Sequence, residues 1–212
     1  RNYFLMVCNT PDRSDIGMSY LKQITDSLAG GVLVLDTGIT PEDVAQISNR
    51  RAPIVLASNE VTHYDDQVPH VVLDLHRAGE IAGQHLIELG HTCIGAVVGS
   101  GLAGRQIVRL GGFEAALHAA GLTLDPANTR DTPDTIAGGR AAAEFLLAAN
   151  PNITAIFASN DLMAYGVAQV LVERGIAMPQ AMSLIGITDI QLARDMGPGL
   201  TTVALHTETM AT

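Results

Sequence analysis

Four stretches of the chain hold residues whose types and spacing could do chemistry. Gly99-Ser100-Gly101-Leu102-Ala103-Gly104 spells G-x-G-x-x-G between an apolar run and a helical pattern, the setting in which backbone N–H groups and a helix N-terminus cradle a pyrophosphate. The acidic residue that such a site needs about 20 positions on would be Asp125. Leu122-Thr123-Leu124 is too short and polar for the second buried strand, which favours a loop bordering a different ligand. Arg105 and Arg109 lie four apart at the start of the next helix and share a face. Cations there oppose the helix dipole, so another interaction must hold them. Arg105 reads as a surface cation reaching solvent or Glu114, and Arg109 as a cleft-facing donor, since a guanidinium can bridge two sugar hydroxyls or a carboxylate. Asn160-Asp161 stands at a strand-to-helix corner. N-capping explains either residue but not both, so Asn160 is expected to touch a ligand and Asp161 to be structural. Thr188-Asp189 closes the next apolar run.

Other chemistries lack their residues. His63, His70, His76, His85, His91, His118 and His206 show no i, i+4 pair and no accompanying Cys or carboxylate cluster, so no metal site is expected. No G-x-S-x-G elbow is present, and no acid or base can be named for an enzyme. No cofactor is expected. Twelve Lys and Arg among twenty-two carboxylates give a net charge of −10, with no Trp and 4% aromatics. Nucleic-acid binding rests on phosphate neutralisation and stacking, so this segment should not bind DNA well. Cys8 and Cys93 fall in apolar runs and read as buried free thiols, which fits a cytosolic origin. No window approaches the apolar length of a membrane span. The opening residues look like a chain that starts in mid-strand, a fragment of a longer protein.

Strands and helices alternate to position these residues. Tyr3–Cys8 reads as a strand, followed by a helix capped at Ser14-Asp15 with Ile16, Tyr20, Ile24 and Leu28 in line. Strands at 32–35, 53–57 and 70–73 follow, with a helix started by Thr40-Pro41 between the first two. The rhythm resumes after Asp74: helix 80–89 with Ile81, His85 and Leu89 on one face, strand 93–98, a helix with Ile107, Leu110, Glu114 and Leu117 in line, and a weak strand within 122–130. Helix 136–149, strand 154–158, a helix closed by Gly175, a strand ending in Thr188-Asp189 and a last strand at 201–206 complete it. This is an α/β chain with parallel sheets. Two runs of the pattern, joined near Leu73-Asp74, suggest two similar lobes with strands crossing between them.

The sequence closely resembles the effector-binding core of the LacI/GalR family of bacterial transcriptional regulators over nearly its whole length. The matching stretches are Gly30-Gly31-Val32-Leu33-Val34, Leu89-Gly90-His91, Arg109-Leu110-Gly111-Gly112-Phe113 as the family's R-x-x-G-F, Ala158 to Gly166, Gly175 to Pro179, Ser183 to Gly186, and Pro198 to Val203. The resemblance implies a periplasmic-binding-protein type I fold of two Rossmann-like lobes, truncated at both ends. Residues 1–73 would form an N-terminal lobe lacking its first strand and helix, 74–202 a C-terminal lobe, and 203–212 a crossover strand returning to the first. It further implies a cytoplasmic, homodimeric repressor, not an enzyme, that binds operator DNA through a headpiece absent from this chain and senses a sugar or related polar metabolite. The family's effector contacts fall on Arg109, Asn160, Ser58 and Leu73, and by looser alignment on Asp134. Where the family has Gly-(Phe/Tyr)-Asp, this chain has Gly186-Ile187-Thr188, so one hydroxyl replaces a carboxylate that would grip two. The alternative is a secreted solute-binding protein of a sugar transporter.

Overall fold

A computed structural model describes residues 4–9, 14–27, 29–35, 39, 41–47, 52–58, 68–100, 105–195, 199–207 and 209. The chain divides into two compact units, Arg1–Leu73 and Asp74–Thr212.

In the first unit α1 (Ser14–Ser27) precedes β1 (Val32–Leu35), α2 (Pro41–Ala45), β2 (Ile54–Ser58) and β3 (His70–Val72). The strands form a parallel sheet in the order β1-β2-β3. Leu21, Val34, Val44, Ile47, Ile54, Leu56 and Val68 make its core. Of the expected face of α1, the side chains of Ile16 and Leu28 lie outside the described residues, Ile24 is half-buried and Tyr20 is 48% exposed, while Leu21 and Thr25 are buried. Thr25 tolerates burial because its hydroxyl donates to the Leu21 carbonyl at 2.8 Å. Residues 4–9 lie outside any strand and are exposed, so the expected strand over Tyr3–Cys8 is corrected, and with it the burial of Cys8. An apolar extended stretch becomes a strand only when a neighbour completes its ladder, and none of the described strands pairs with it.

The second unit runs α3 (Leu75–Glu88), β4 (Ile94–Gly99), α4 (Arg105–Ala119), a 3-10 turn at Pro126–Asn128, β5 (Thr129–Thr132), α5 (Ile136–Ala149), β6 (Ala155–Ala158), α6 (Asp161–Glu173), β7 (Ser183–Thr188), α7 (Gln191–Asp195) and β8 (Thr201–Ala204). Its parallel sheet has the order β5-β4-β6-β7-β8. β8 passes through the expected boundary at residue 202, pairing Val203 and Ala204 with Ile187 and Thr188. Strand residues alternate between two cores. Val97, Ile156 and Ala158 meet α5 and α6 through Ala142, Leu146, Met163 and Val167. Ala96, Val98, Ala155 and Phe157 meet α3 and α4 through Ala78, Ala82, Phe113 and Leu117. Helices on both faces are why β4, β6 and β7 read as unbroken apolar runs. Phe113 stacks on Phe157 at 4.2 Å between centroids, each ring contributing roughly 2–3 kcal/mol through burial.

α3 starts five residues before the expected Glu80, because Asp74 accepts the Arg77 N–H at 2.8 Å and caps it. Its buried stripe is Leu75, Ala78, Gly79, Ala82, Gly83 and Leu86, while Ile81 and Leu89 of the expected face are 40% and 57% exposed. Small residues are buried there because α4 comes close. A Cβ on Gly79 would lie 1.9 Å from the Arg109 carbonyl oxygen, and one on Gly112 would lie 1.9 Å from that of His76. The close approach turns α4 so that Ile107 is 68% exposed while Gln106, Arg109 and Phe113 go inward.

Candidate functional site

In the second sheet the chain builds β5 on one side of β4 and β6 on the other. Successive crossovers thus diverge between β4 and β6, and in such sheets a crevice opens beyond the carboxyl ends at that point. Several polar residues of this unit, Gln106, Arg109, Asp134, Ser159 and Asn160 among them, collect there. Ser159 and Asn160 follow β6, Gly99 ends β4, Asp134 lies between β5 and α5, and Gln106 and Arg109 occupy the first turns of α4.

A continuous hydrogen-bond chain joins them. Asn160 Nδ2 donates to Asp134 Oδ1 at 2.8 Å, and Gln106 Nε2 to Asp134 Oδ2 at 3.3 Å. Arg109 donates through one terminal nitrogen to Gln106 Oε1 at 3.3 Å and to the Ser159 carbonyl at 2.7 Å. Ser159 Oγ accepts the Gly99 N–H at 3.1 Å. The amide orientations follow from their neighbours: Asn160 Oδ1 accepts the Met163 N–H at 2.9 Å as the N-cap of α6, which leaves its NH₂ for the carboxylate. Gln106 likewise turns oxygen to the guanidinium and nitrogen to Asp134.

Asp134 sits against the end of β4 because Gly99 has no side chain; a Cβ there would fall 1.7 Å from Asp134 Oδ1. This bears on the glycine-rich loop, whose residues 101–104 lie outside the described residues, as does the side chain of Arg105. A carboxylate at the loop's first residue opposes a pyrophosphate by charge. Asp125, the acidic partner such a site would need, instead caps the 3-10 turn by accepting the Ala127 N–H at 2.8 Å.

Arg109, Asn160 and Asp134 are thus brought together, and Arg109 is held more firmly than a free cleft donor would be, at 5% exposure. Thr188 ends β7 and is half-buried, with φ at +135°. Ser58 and Leu73 belong to the first unit, where Ser58 closes β2 and Leu73 follows β3. Sequence reasoning missed Gln106 and Ser159. Gln106 lies three residues before Arg109, and that i, i+3 spacing was a readable signal. The role of Ser159 as a backbone acceptor leaves none.

Asp161 is structural, as expected. It is 1% exposed and accepts the Thr202 hydroxyl at 2.6 Å and the Ile190 N–H at 3.0 Å. At the opposite end of the sheet, His91 bridges the Thr154 and Ser183 hydroxyls at 2.9 Å each. Burial, and then the nearby His85, hold its imidazole below the ordinary value of 6.5. Among the described residues no three His, Cys, Asp or Glu side chains gather as a metal would require, and no helix is long and apolar enough to cross a membrane. A half-buried carboxylate braced by two amides and balanced by a guanidinium offers acceptors and donors to a hydroxyl-rich small molecule.

Residues 2–206 match the family model described as periplasmic binding proteins and the sugar-binding domain of the LacI family. The chain is 31% identical over 204 residues to the HTH-type transcriptional regulator DegA of Bacillus subtilis, covering 94% of this chain and 59% of that protein. Among solved structures, the Escherichia coli transcriptional repressor ascG superposes with a TM-score of 0.83 at 27% identity, over 93% of this chain and 72% of that one. A transcriptional regulator CelR–cellobiose complex superposes with a TM-score of 0.76 at 29% identity, over 92% of this chain and 60% of that one. The chain therefore spans about three fifths of the length of DegA.

Proposed function

Because the chain belongs to the family of periplasmic binding proteins and LacI-type sugar-binding domains, we propose that it is the effector-sensing and dimerisation part of a DNA-binding transcriptional repressor. The observation that carries this is the braced Asp134–Asn160–Gln106–Arg109 cluster at the point where the sheet's crossovers diverge. Asp134 would accept two hydroxyls of a sugar or related polar metabolite, with Asn160 and Arg109 setting its orientation and Thr188 adding one hydroxyl. Ser58 and Leu73 stay candidate contacts on the family resemblance alone. Relatives named as regulators or repressors, and one solved with cellobiose, support the reading. Effector binding would shift a two-state equilibrium of a cytoplasmic homodimer, limited by its differential affinity for the two states. DNA contacts would come from a separate headpiece, consistent with the net charge of −10 here.

The test is calorimetric titration with mono- and disaccharides, cellobiose and ribose among them, on the wild-type protein and Asp134→Ala. The expected result is binding of at least one probe and its loss in the variant. Equal affinity in Asp134→Ala would place the effector elsewhere.

A further inference from the structure

The corner that follows β7 is held in a costly shape. Thr188 and Asp189 take positive φ values of +135° and +56° in succession, and neither is glycine. For a β-branched residue such as Thr188 this is a genuine outlier, one that persists only where its surroundings over-determine it. Those surroundings centre on Asp161. Its carboxylate is 1% exposed and takes the Ile190 N–H on Oδ2 at 3.0 Å and the Thr202 hydroxyl on Oδ1 at 2.6 Å. Thr202 Oγ1 in turn accepts the Asp189 N–H at 3.4 Å. Both backbone N–H groups after Thr188 are therefore tied to one carboxylate, directly or through one hydroxyl. The carboxylate fits because Gly186, two residues before Thr188, has no side chain; a Cβ there would lie 2.3 Å from Asp161 Oδ1. Thr202 stands opposite Gly186 in the β7–β8 ladder, so the tether also fastens the corner to the last strand. On the outer side Arg194 Nε donates to Asp189 Oδ1 at 3.1 Å, which orients the Asp189 side chain but leaves the backbone to Asp161 and Thr202.

We infer that Asp161 and Thr202 are positioning residues for the effector contact at Thr188. This rests on the effector reading of Thr188 given above. Asp161 does not touch effector; it fixes the backbone on which the Thr188 hydroxyl is presented. The chain thus keeps a rigid mount at the position where its single hydroxyl stands in for a carboxylate.

The test has two readouts on the same proteins: wild type, Thr202→Val, Thr202→Ser and Asp161→Asn. Amide hydrogen exchange at Asp189 and Ile190 should be at least tenfold faster in Thr202→Val, unchanged in β4 and β6, and restored in Thr202→Ser. If Thr202→Val does not fold, Asp161→Asn keeps the volume and one acceptor, and should show the same local acceleration. Exchange at the corner that matches wild type in the folded variants overturns the inference. In the second readout, whichever saccharide binds wild type should bind Thr202→Ser equally and Thr202→Val at least tenfold more weakly. Equal binding by Thr202→Val overturns the positioning role. A saccharide panel silent on wild type counts against the effector reading itself, while the exchange readout still decides whether Asp161 and Thr202 fix the corner.

Discussion

Gly112→Ala tests the packing that places Arg109. The added Cβ would lie 1.9 Å from the His76 carbonyl oxygen and 2.7 Å from its carbon. A carbon sits no closer than about 3.3 Å to a carbonyl oxygen, so α3 and α4 must part by roughly 1.4 Å at this point. A peptide carbonyl inside a helix cannot rotate aside as a side chain would. A gap of about 1 Å forfeits a quarter to a half of each van der Waals contact, and the interface includes Ala78, Ala82, Leu86, Phe113 and Leu117. Overpacking of this kind costs about 1–3 kcal/mol, and more where backbone must move. Against it, alanine is favoured over glycine in a helix by about 1 kcal/mol. With backbone moving, the cost lies at the upper end of that range, so the clash should win by about 1–2 kcal/mol, or about 2–8 °C in Tm for a chain of this size. Gly111→Ala is the control, because the nearest atom to its Cβ would be His76 Cδ2 at 4.0 Å. That substitution should be neutral or stabilising by up to about 1 kcal/mol. Calorimetric scans of the three proteins decide it, and a Gly112→Ala protein as stable as Gly111→Ala would refute the reasoning.

Arg109→Ala should cost both effector binding and stability, by about 2–4 kcal/mol, since it removes a buried charged donor from the Ser159 carbonyl and leaves a void. A urea midpoint equal to wild type would show that the buried guanidinium does not tie α4 to the β6 corner. The His91 imidazole, held below 6.5 by burial and by His85, gives a pH dependence of defined sign. Between the folded and unfolded values the unfolded chain binds more protons, so stability rises with pH there. Its contribution is full above the unfolded value of about 6.5 and is lost as pH falls below it. Tm measured from about pH 8 to pH 5 should show that decline, and His91→Gln should flatten it. A wild-type slope retained in His91→Gln would assign the effect to another group.

Helix α5, strand β1 and the corner at Asn160 were legible because each is specified locally: an Ala- and Leu-rich run that Thr135 caps by accepting the Gly138 N–H at 3.0 Å, a short Val- and Leu-rich run after Gly30-Gly31, and an Asn before a helix. The faces of α3 and α4 were not. Apolar spacing pointed to Ile81 and Ile107, but the middle of the contact is built on Ala78, Gly79, Ala82, Gly83 and Gly112, whose worth lies in how near another helix can come. Hydrophobicity along one chain segment does not record that distance. The apolar stretch at residues 4–9 misled for a related reason, since a strand is a property of a pair.

The types of the site residues, the parallel α/β class and the departure at Thr188 were determined by the sequence alone, because side-chain chemistry and periodicity are written residue by residue. Tertiary structure decided what each polar group does. It buried Arg109 against a carbonyl that no sequence pattern marks, and set Asp134 over Gly99 between two amides. It gave Asp161 the task of holding the corner beside Thr188. Hydrogen bonds of this kind join residues 26 to 50 positions apart, and only the folded sheet, by bringing strand ends together, fixes which donor meets which acceptor.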